Sequence, residues 1–273
     1  MRIATWNVNS VVARLPRLLE WLSTVEPDVV CLQEVKCAEA AFPHEEVGDL
    51  GYEAAVHGAG RWNGVAVLSR VGIDDVRLGL ADEPGYLADN ALLPAPEQRA
   101  MGATCGGVRV WSVYVPNGRA VGHAHYAYKL EWLAALRATV IDELAPGGAP
   151  QPFAVLGDFN IAPTDADVWD ATLFRDSTHV TPGEREALSA ICATGLTDVL
   201  PRALKHAVPF TYWDYRQLAF PHNHGMRIDL VLADERFRSA VTDAYVDRNA
   251  RKGKGSSDHA PVVVDLEVGA TAG

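Results

Sequence analysis

Phe153-Ala154-Val155-Leu156-Gly157-Asp158-Phe159-Asn160 is an apolar run closed by a glycine, a carboxylate and an amide. Phe153 to Leu156 shows no helical spacing and reads as a buried strand. The polar residues that follow stand where a rigid element can hold a side chain tightly enough for chemistry. The same pattern recurs along the chain. A strand over Arg2 to Val8 carries Thr5-Trp6-Asn7-Val8-Asn9, and Val29 to Leu32 runs into Gln33-Glu34. Val108 to Val115 leads into Tyr114-Val115-Pro116-Asn117-Gly118, Ile228 to Leu232 contains Asp229, and Ser257-Asp258-His259-Ala260-Pro261 precedes a strand over Val262 to Leu266. Gly64 to Ser69 is a further strand.

Between these strands the spacing changes. Leu15, Leu18, Leu19 and Leu22 mark one face of a helix stopped by Pro27. A second helix is predicted from Tyr126 to Leu144, with Leu130, Leu133, Leu136, Val140 and Leu144 on one side. It ends before Pro146-Gly147-Gly148, a turn and a candidate joint between lobes. Thr181-Pro182-Gly183-Glu184 is a capping box with proline at the first helical position, opening a helix through Leu188 and Ile191. Leu78 to Gln98 lacks periodicity and carries three prolines, which predicts a long surface loop. Strands outnumber helices in both halves. The economical architecture is α/β, with two β-sheets packed face to face and helices outside, as one domain over residues 1–268 and a flexible tail over 269–273.

The 273 residues suffice for a sizeable core, and the composition excludes a disordered or fibrous chain. No apolar run reaches the roughly 18 residues of a membrane span, and Met1-Arg2-Ile3 enters a strand pattern rather than a signal peptide. Cys31, Cys37, Cys105 and Cys192 form no C-x-x-C and suggest neither a disulfide framework nor zinc. A cytoplasmic protein is expected. The net charge of −11 excludes a nonspecific DNA coat but not an enzyme with a local phosphate site.

Asn, Asp and Glu at strand ends, with few thiols, suit Mg²⁺, Mn²⁺ or Ca²⁺. Asp229 and His259 supply a carboxylate that can orient an imidazole toward developing negative charge. Metal and oriented histidine together point to phosphoryl chemistry. Each piece alone has a plainer reading: Gly157 to Asn160 as a turn, Asp258-His259 as the start of a strand, Glu34 as a buried ion-pair partner, Tyr114 as a core aromatic. Their conjunction shifts the balance. Arg248, Arg251, Lys252 and Lys254 lie within seven residues and lead into Asp258-His259, so this basic loop is a candidate phosphate contact rather than only a solvated charge run.

Taken in order, W-N-V-N-S, L-Q-E-V-K-C, V-Y-V-P-N-G, G-D-F-N-I-A-P, Y-W-D-Y-R, R-I-D-L-V-L-A and S-D-H-A-P-V resemble the exonuclease III family of apurinic/apyrimidinic endonucleases, within the endonuclease/exonuclease/phosphatase superfamily. The likeness runs from residue 3 to about residue 266. It implies a four-layered α/β sandwich and a Mg²⁺-dependent DNA-repair nuclease, with Mn²⁺ as substitute, that cuts 5′ to abasic sites. It also implies 3′→5′ exonuclease and 3′-phosphatase or phosphodiesterase activity.

By this resemblance Glu34 holds the metal with Asn7 and Asp258 as direct or water-mediated ligands. Asp158 orients or deprotonates water, Asn160 holds a phosphate oxygen, His259 oriented by Asp229 stabilises charge, and Tyr114 meets the scissile phosphate or helps the leaving oxygen. Asn9, Arg99, Asn117, Arg251, Lys252 and Lys254 are expected at DNA, with Arg99 entering the groove. Tyr212, Met226 and Ile228 match a small apolar pocket for an extruded sugar. Met226 stands where relatives often carry Leu or Trp, and Asn223-His224-Gly225 replaces a stretch that often has Arg before the Gly. The expected partner is double-stranded DNA with abasic sites, nicks or blocked 3′ ends, met by a monomer away from any membrane. The rivals are a superfamily phosphodiesterase acting on RNA or on inositol or lipid phosphates, and a non-catalytic DNA-binding relative. The stretch from Tyr212 to Asp229 and the basic loop favour DNA, and the full set of acid, amide and histidine positions favours catalysis.

Overall fold

A computed structural model describes residues 1–87, 92–145 and 151–267. Its strands are β1 (Arg2–Asn7), β2 (Val29–Gln33), β3 (Glu53–His57), β4 (Val65–Ser69), β5 (Asp74–Leu78) and β6 (Ala100–Cys105). They continue with β7 (Val108–Tyr114), β8 (Phe153–Asp158), β9 (Thr197–Asp198), β10 (Asp229–Ala233), β11 (Val241–Val246) and β12 (Val262–Leu266). The helices are α1 (Val11–Val25), α2 (His44–Gly48), α3 (Ala124–Glu143), α4 (Pro182–Cys192), α5 (Ala219–His222) and α6 (Glu235–Ala240).

Two six-stranded sheets result, ordered β11-β12-β1-β2-β4-β3 and β5-β6-β7-β8-β10-β9. Each is antiparallel except for one central parallel pair, β1 with β2 and β7 with β8. Parallel neighbours need a crossover, and α1 and α3 are those crossovers. The sheets face each other over a core that includes Ile3, Cys31, Val67, Val110, Leu156 and Val264. A second apolar layer lies under α1 and a third under α3 and α4, which makes the four-layered sandwich expected from the sequence.

This topology builds the site. The C-terminal ends of both parallel pairs meet at one end of the sandwich, bringing Asn7, Glu34, Tyr114 and Asp158 together. Antiparallel β10 and β12 start at that same end: Asp229 pairs in register with Asp158, and Val262 with Thr5, so His259 sits just ahead of the sheet.

The helices depart from expectation in the faces they bury. In α1 the buried residues are Val11, Leu18, Trp21 and Leu22, while Leu15 and Leu19 are only half-buried. In α3 the buried seam includes Tyr128, Trp132, Leu133, Leu136 and Val140, and also Lys129 and His125. Leu130 and Leu144 sit at its margin. The Trp132 indole N–H donates to Glu83 at 2.8 Å and Lys129 is paired with Glu184, while the buried Tyr128 hydroxyl has no hydrogen-bond partner among the described residues. The capping box of α4 forms as read: Glu184 N–H donates to Thr181 Oγ1 at 3.3 Å, and Thr181 N–H to Glu184 Oε2 at 3.0 Å.

Between Gly79 and Gln98 the described residues hold only an isolated bridge from Tyr86 to Ala95, in keeping with a loop. Pro146-Gly147-Gly148 and the tail over 269–273 lie outside the described residues. Among the described residues, no helix is long and apolar enough to cross a membrane.

Candidate active site

Asn7, buried at the end of β1, organises the centre. Its Nδ2 donates to Glu34 Oε1 at 2.8 Å and to Asp158 Oδ2 at 2.9 Å, so one amide group sets the spacing of two carboxylates. Its Oδ1 accepts from the Asn9 N–H at 3.0 Å. Asn7 thus positions the acids, and the second lone pair of its Oδ1 is compatible with the metal-ligand role expected from the sequence.

Asp158 is held by the chain that follows it. Its Oδ1 accepts from the Asn160 N–H at 2.9 Å, an Asx turn that places Asn160 in the left-handed region asparagine tolerates. Burial raises the Asp158 carboxyl to about 7, reinforced by the Asp229 and Glu34 charges and opposed by His259.

His259 Nδ1 lies 2.8 Å from Asp229 Oδ2, the oriented pair expected from the sequence. Burial alone would lower the imidazole, but the charges of Asp229 and Asp158 outweigh it and push His259 up to about 10. The ring is therefore an imidazolium at neutral pH, with Nε2 facing Asp158 Oδ2 at 3.8 Å. Tyr114 stands beside Glu34, and its phenol is raised well above the usual tyrosine range, first by burial and then by the Glu34 charge.

Glu34, Asp158 and His259 present ligand-type atoms all within 4.8 Å of one another. Because His259 is protonated and held by Asp229, the donors that fit a cation are the hard carboxylate oxygens of Glu34 and Asp158, suited to Mg²⁺ or Mn²⁺. Asp258 lines the same cleft and is tied in through Asn9, whose Nδ2 donates to Asp258 Oδ1 at 3.0 Å.

A second polar cluster stands beside these acids. Asn160 Oδ1 accepts from Asn117 Nδ2 at 3.3 Å and lies 3.0 Å from His179 Nε2. Beneath it, the fully buried Lys129 donates to the Asn160 carbonyl at 2.7 Å and pairs with Glu184 at 2.5 Å. Glu184 Oε1 also accepts from the His179 N–H at 2.9 Å. Burial and the Lys129 charge lower His179 to about 4, so it is neutral. Of His179, Lys129 and Glu184, only the helix start at Glu184 is legible in the sequence.

Both clusters open on a cleft of about 730 Å³. Its apolar wall includes Tyr212, Met226 and Ile228, as expected, and also Phe174. Tyr212 packs against the His259 ring at 4.9 Å between centroids. His224, in the Asn223-His224-Gly225 stretch noted as a departure from the family pattern, stacks on Trp169 at 3.8 Å and 12°. Trp169, unassigned in the sequence, thereby becomes part of the cleft wall.

Two expected DNA contacts are corrected. Arg99 is 4% exposed, pairs with Glu97 at 2.7 Å and stacks at 4.7 Å from the Tyr114 ring centroid. It cannot enter a groove and instead backs Tyr114. Arg251 is also buried: it donates to Ser256 Oγ and to the Trp213 carbonyl, and stacks on Tyr215 and Phe220. It braces the loop and is no free phosphate ligand. Lys252 and Lys254 remain exposed, with Lys252 Nζ on Asn249 Oδ1 at 2.6 Å.

Paired sheets ending in hard-oxygen donors, a protonated histidine and two amides define an enzyme that cleaves phosphate esters. Residues 4–259 match the model of the endonuclease/exonuclease/phosphatase family, and the chain belongs to that family. It is similar to exodeoxyribonuclease III of Haemophilus influenzae, at 28% identity with 98% of this chain and 100% of that protein covered. Among solved structures it is similar to the 3′ phosphatase NExo from Neisseria bound to product DNA hairpin, with a TM-score of 0.89, 35% identity, and 98% and 100% of the two chains covered. An AP endonuclease from Archaeoglobus fulgidus matches with a TM-score of 0.87 and 30% identity, again covering 98% of this chain and 100% of the other.

Proposed function

We propose that this chain is a Mg²⁺-dependent DNA-repair nuclease, with Mn²⁺ as substitute. Its substrates are duplexes with an abasic site, which it cuts on the 5′ side, and nicked or blocked 3′ ends, from which it removes nucleotides or phosphate. The observation that carries this reading is the convergence of Glu34, Asp158 and the Asp229-supported His259 within 4.8 Å, at the floor of a cleft with an apolar wall. The names of the relatives, and the product DNA hairpin bound to one of them, support DNA as the partner.

A divalent cation held by Glu34, with Asn7 and Asp258 alongside, would lower the pKa of an attacking water and offset phosphate charge. Asp158, whose carboxyl burial and the neighbouring Asp229 and Glu34 charges make more basic, is placed to take the water's proton. The His259 imidazolium donates from Nε2 to the phosphate oxygen that gains charge. Asn160 Nδ2 donates one hydrogen to the Val115 carbonyl at 3.0 Å and keeps its second for a phosphate oxygen, while Asn117 Nδ2, between Asn160 Oδ1 and the His179 ring, holds that amide at the DNA side of the cleft. Tyr114, on Glu34 and backed by Arg99, stands at the leaving oxygen.

Tyr212, Met226, Ile228 and Phe174 take the extruded sugar, since a residue lacking its base loses little stacking on leaving the duplex. Asn9, Lys252 and Lys254 lie toward the flanking backbone. We take residues 1–268 as one domain acting as a monomer, in the reducing cytoplasm that four unpaired cysteines favour.

Incubation with Mg²⁺ on duplexes carrying a central abasic analogue, a nick, a 3′-phosphate or no lesion tests the proposal. Cleavage of the first three is expected. Failure on all of them, with phosphate released from an inositol phosphate, would replace this reading with the lipid-phosphate rival.

A further inference from the structure

Lys36 has no part in the mechanism above, yet its ammonium lies against the metal-binding carboxylate. Nζ is 2.5 Å from Glu34 Oε2 and donates to Asn9 Oδ1 at 2.6 Å. Asn9 in turn donates to Asp258 Oδ1 at 3.0 Å. One cation and one amide thus link Glu34 to Asp258, two acids of the same cleft.

The backbone is bent to make this contact. Glu34 and Lys36 both occupy the left-handed region, at φ of 52° and 51°. Such conformations cost on the order of 1 kcal/mol or more for residues with a side chain, and persist where the surroundings enforce them. Here the N–H groups of Val35 and Lys36 are taken by the carbonyls of Gly64 and Asn63, at 3.1 and 3.0 Å. Space for the turn comes from two glycines. A Cβ on Gly58 would lie 2.3 Å from the Cys37 carbonyl oxygen, and one on Gly64 would lie 2.5 Å from Val35 Cγ2. The segment from Glu34 to Cys37 is therefore clamped in the one shape that folds Lys36 back over Glu34. A lysine serving only solubility needs no such clamp.

We infer that Lys36 is a tethered cation that shares Glu34 with the divalent ion and sets its affinity. Without metal, the ammonium neutralises a carboxylate in a crowd of acids that also includes Asp158, Asp229 and Asp258. When the ion arrives, the ammonium must leave Glu34 Oε2 or tolerate a like charge at contact distance. Either way, metal binding is weaker than Glu34 alone would give, and the ion exchanges more readily. The inference rests on the metal reading above, so its test is made without DNA.

Binding of Mn²⁺ to the whole protein is measured by electron paramagnetic resonance of the free ion, for the wild type, Lys36→Met and Lys36→Arg. Removing one like charge at contact distance is expected to tighten Mn²⁺ binding by about tenfold or more. Lys36→Arg, which keeps the charge, should stay within about twofold of the wild type. Lys36→Gln, a polar neutral replacement, gives the same comparison should Lys36→Met fail to fold. Equal or weaker binding by the neutral variants, with the wild type binding normally, overturns the role of Lys36 and leaves the metal reading standing. A wild type that binds no Mn²⁺ overturns both. Inactivity on DNA with the tenfold difference intact overturns only the proposed substrate.

Discussion

Replacing Asp229 by asparagine keeps a hydrogen-bonding group of similar shape opposite His259 Nδ1 and removes only the charge. In the native arrangement His259 is held at about 10 against an ordinary 6.5, even though burial works in the opposite direction. That displacement corresponds to on the order of 5 kcal/mol favouring the imidazolium, and Asp229 is its largest source. With the carboxylate gone, the ring loses the largest charge that raises it and its pKa falls, leaving Asp158 as the main charge opposing burial. A preorganised donor to a developing oxyanion is worth on the order of 10² to 10³ in rate, and Asp229→Asn should lose about that much in single-turnover cleavage. DNA affinity should change little. Because the folded imidazole titrates above its unfolded value, its stabilising contribution is complete below about 6.5 and disappears as pH rises through about 10. The variant should therefore be less stable than the wild type at pH 7, with the two converging toward pH 10. His259→Ala should cost a similar factor in rate, and the double variant scarcely more, since groups acting as one unit are non-additive. Losses that multiply, or a His259 ring titrating near 6.5 in the wild type by NMR, would refute the paired role.

Glu34→Ala should raise the metal concentration needed for half-maximal cleavage by roughly tenfold or more, with excess Mn²⁺ restoring part of the rate; a lower melting temperature with an unchanged metal response would make Glu34 structural. Neutralising Lys252 and Lys254 together should flatten the salt dependence of duplex binding by about 0.9 in the log–log slope for each phosphate they neutralise in the wild type, while saturated turnover is preserved. Arg251→Ala, by contrast, should lower stability by removing its Trp213 and Ser256 bonds and leave the salt slope unchanged, as read by salt titration and thermal melts. Lys129→Met strips the partner from a carboxylate with 0% side-chain exposure and should destabilise the fold by about 3–5 kcal/mol in denaturant titration.

The parts of the fold legible in the sequence were those where an element buries both of its faces. Val29–Gln33 and Phe153–Asp158 are buried at every position, and a strand of that kind reads as an unbroken apolar run. Asp74–Leu78 went unread because it is an edge strand exposed throughout and therefore polar. Ala100–Cys105 went unread for the opposite reason. Its small residues are selected by close packing, with two Trp111 ring atoms at 2.6 and 2.9 Å from where a Cβ on Gly102 would stand.

The site divides along similar lines. Asp158, Asp229 and His259 were legible because strand ends carry them and register does the rest. Arg99 and Arg251 were misread because charge in a sequence says nothing of what lies across from it. For Arg99 that is the ring of Tyr114, and for Arg251 those of Tyr215 and Phe220. His179 had no local signal of its own, yet a trace of it lay in the capping box. A glutamate that closes such a box uses one oxygen for the cap, here Oε2 on Thr181. The other must find a partner when the helix start is buried, and Glu184 is fully buried. Here that oxygen takes both the His179 N–H and the Lys129 ammonium, and Lys129 holds the Asn160 carbonyl. The start of α4 thus fixes Asn160 by way of one buried lysine, and a capping glutamate followed by a closely packed apolar helix face is the sequence feature from which a buried cation, and the polar cluster it supports, could have been inferred.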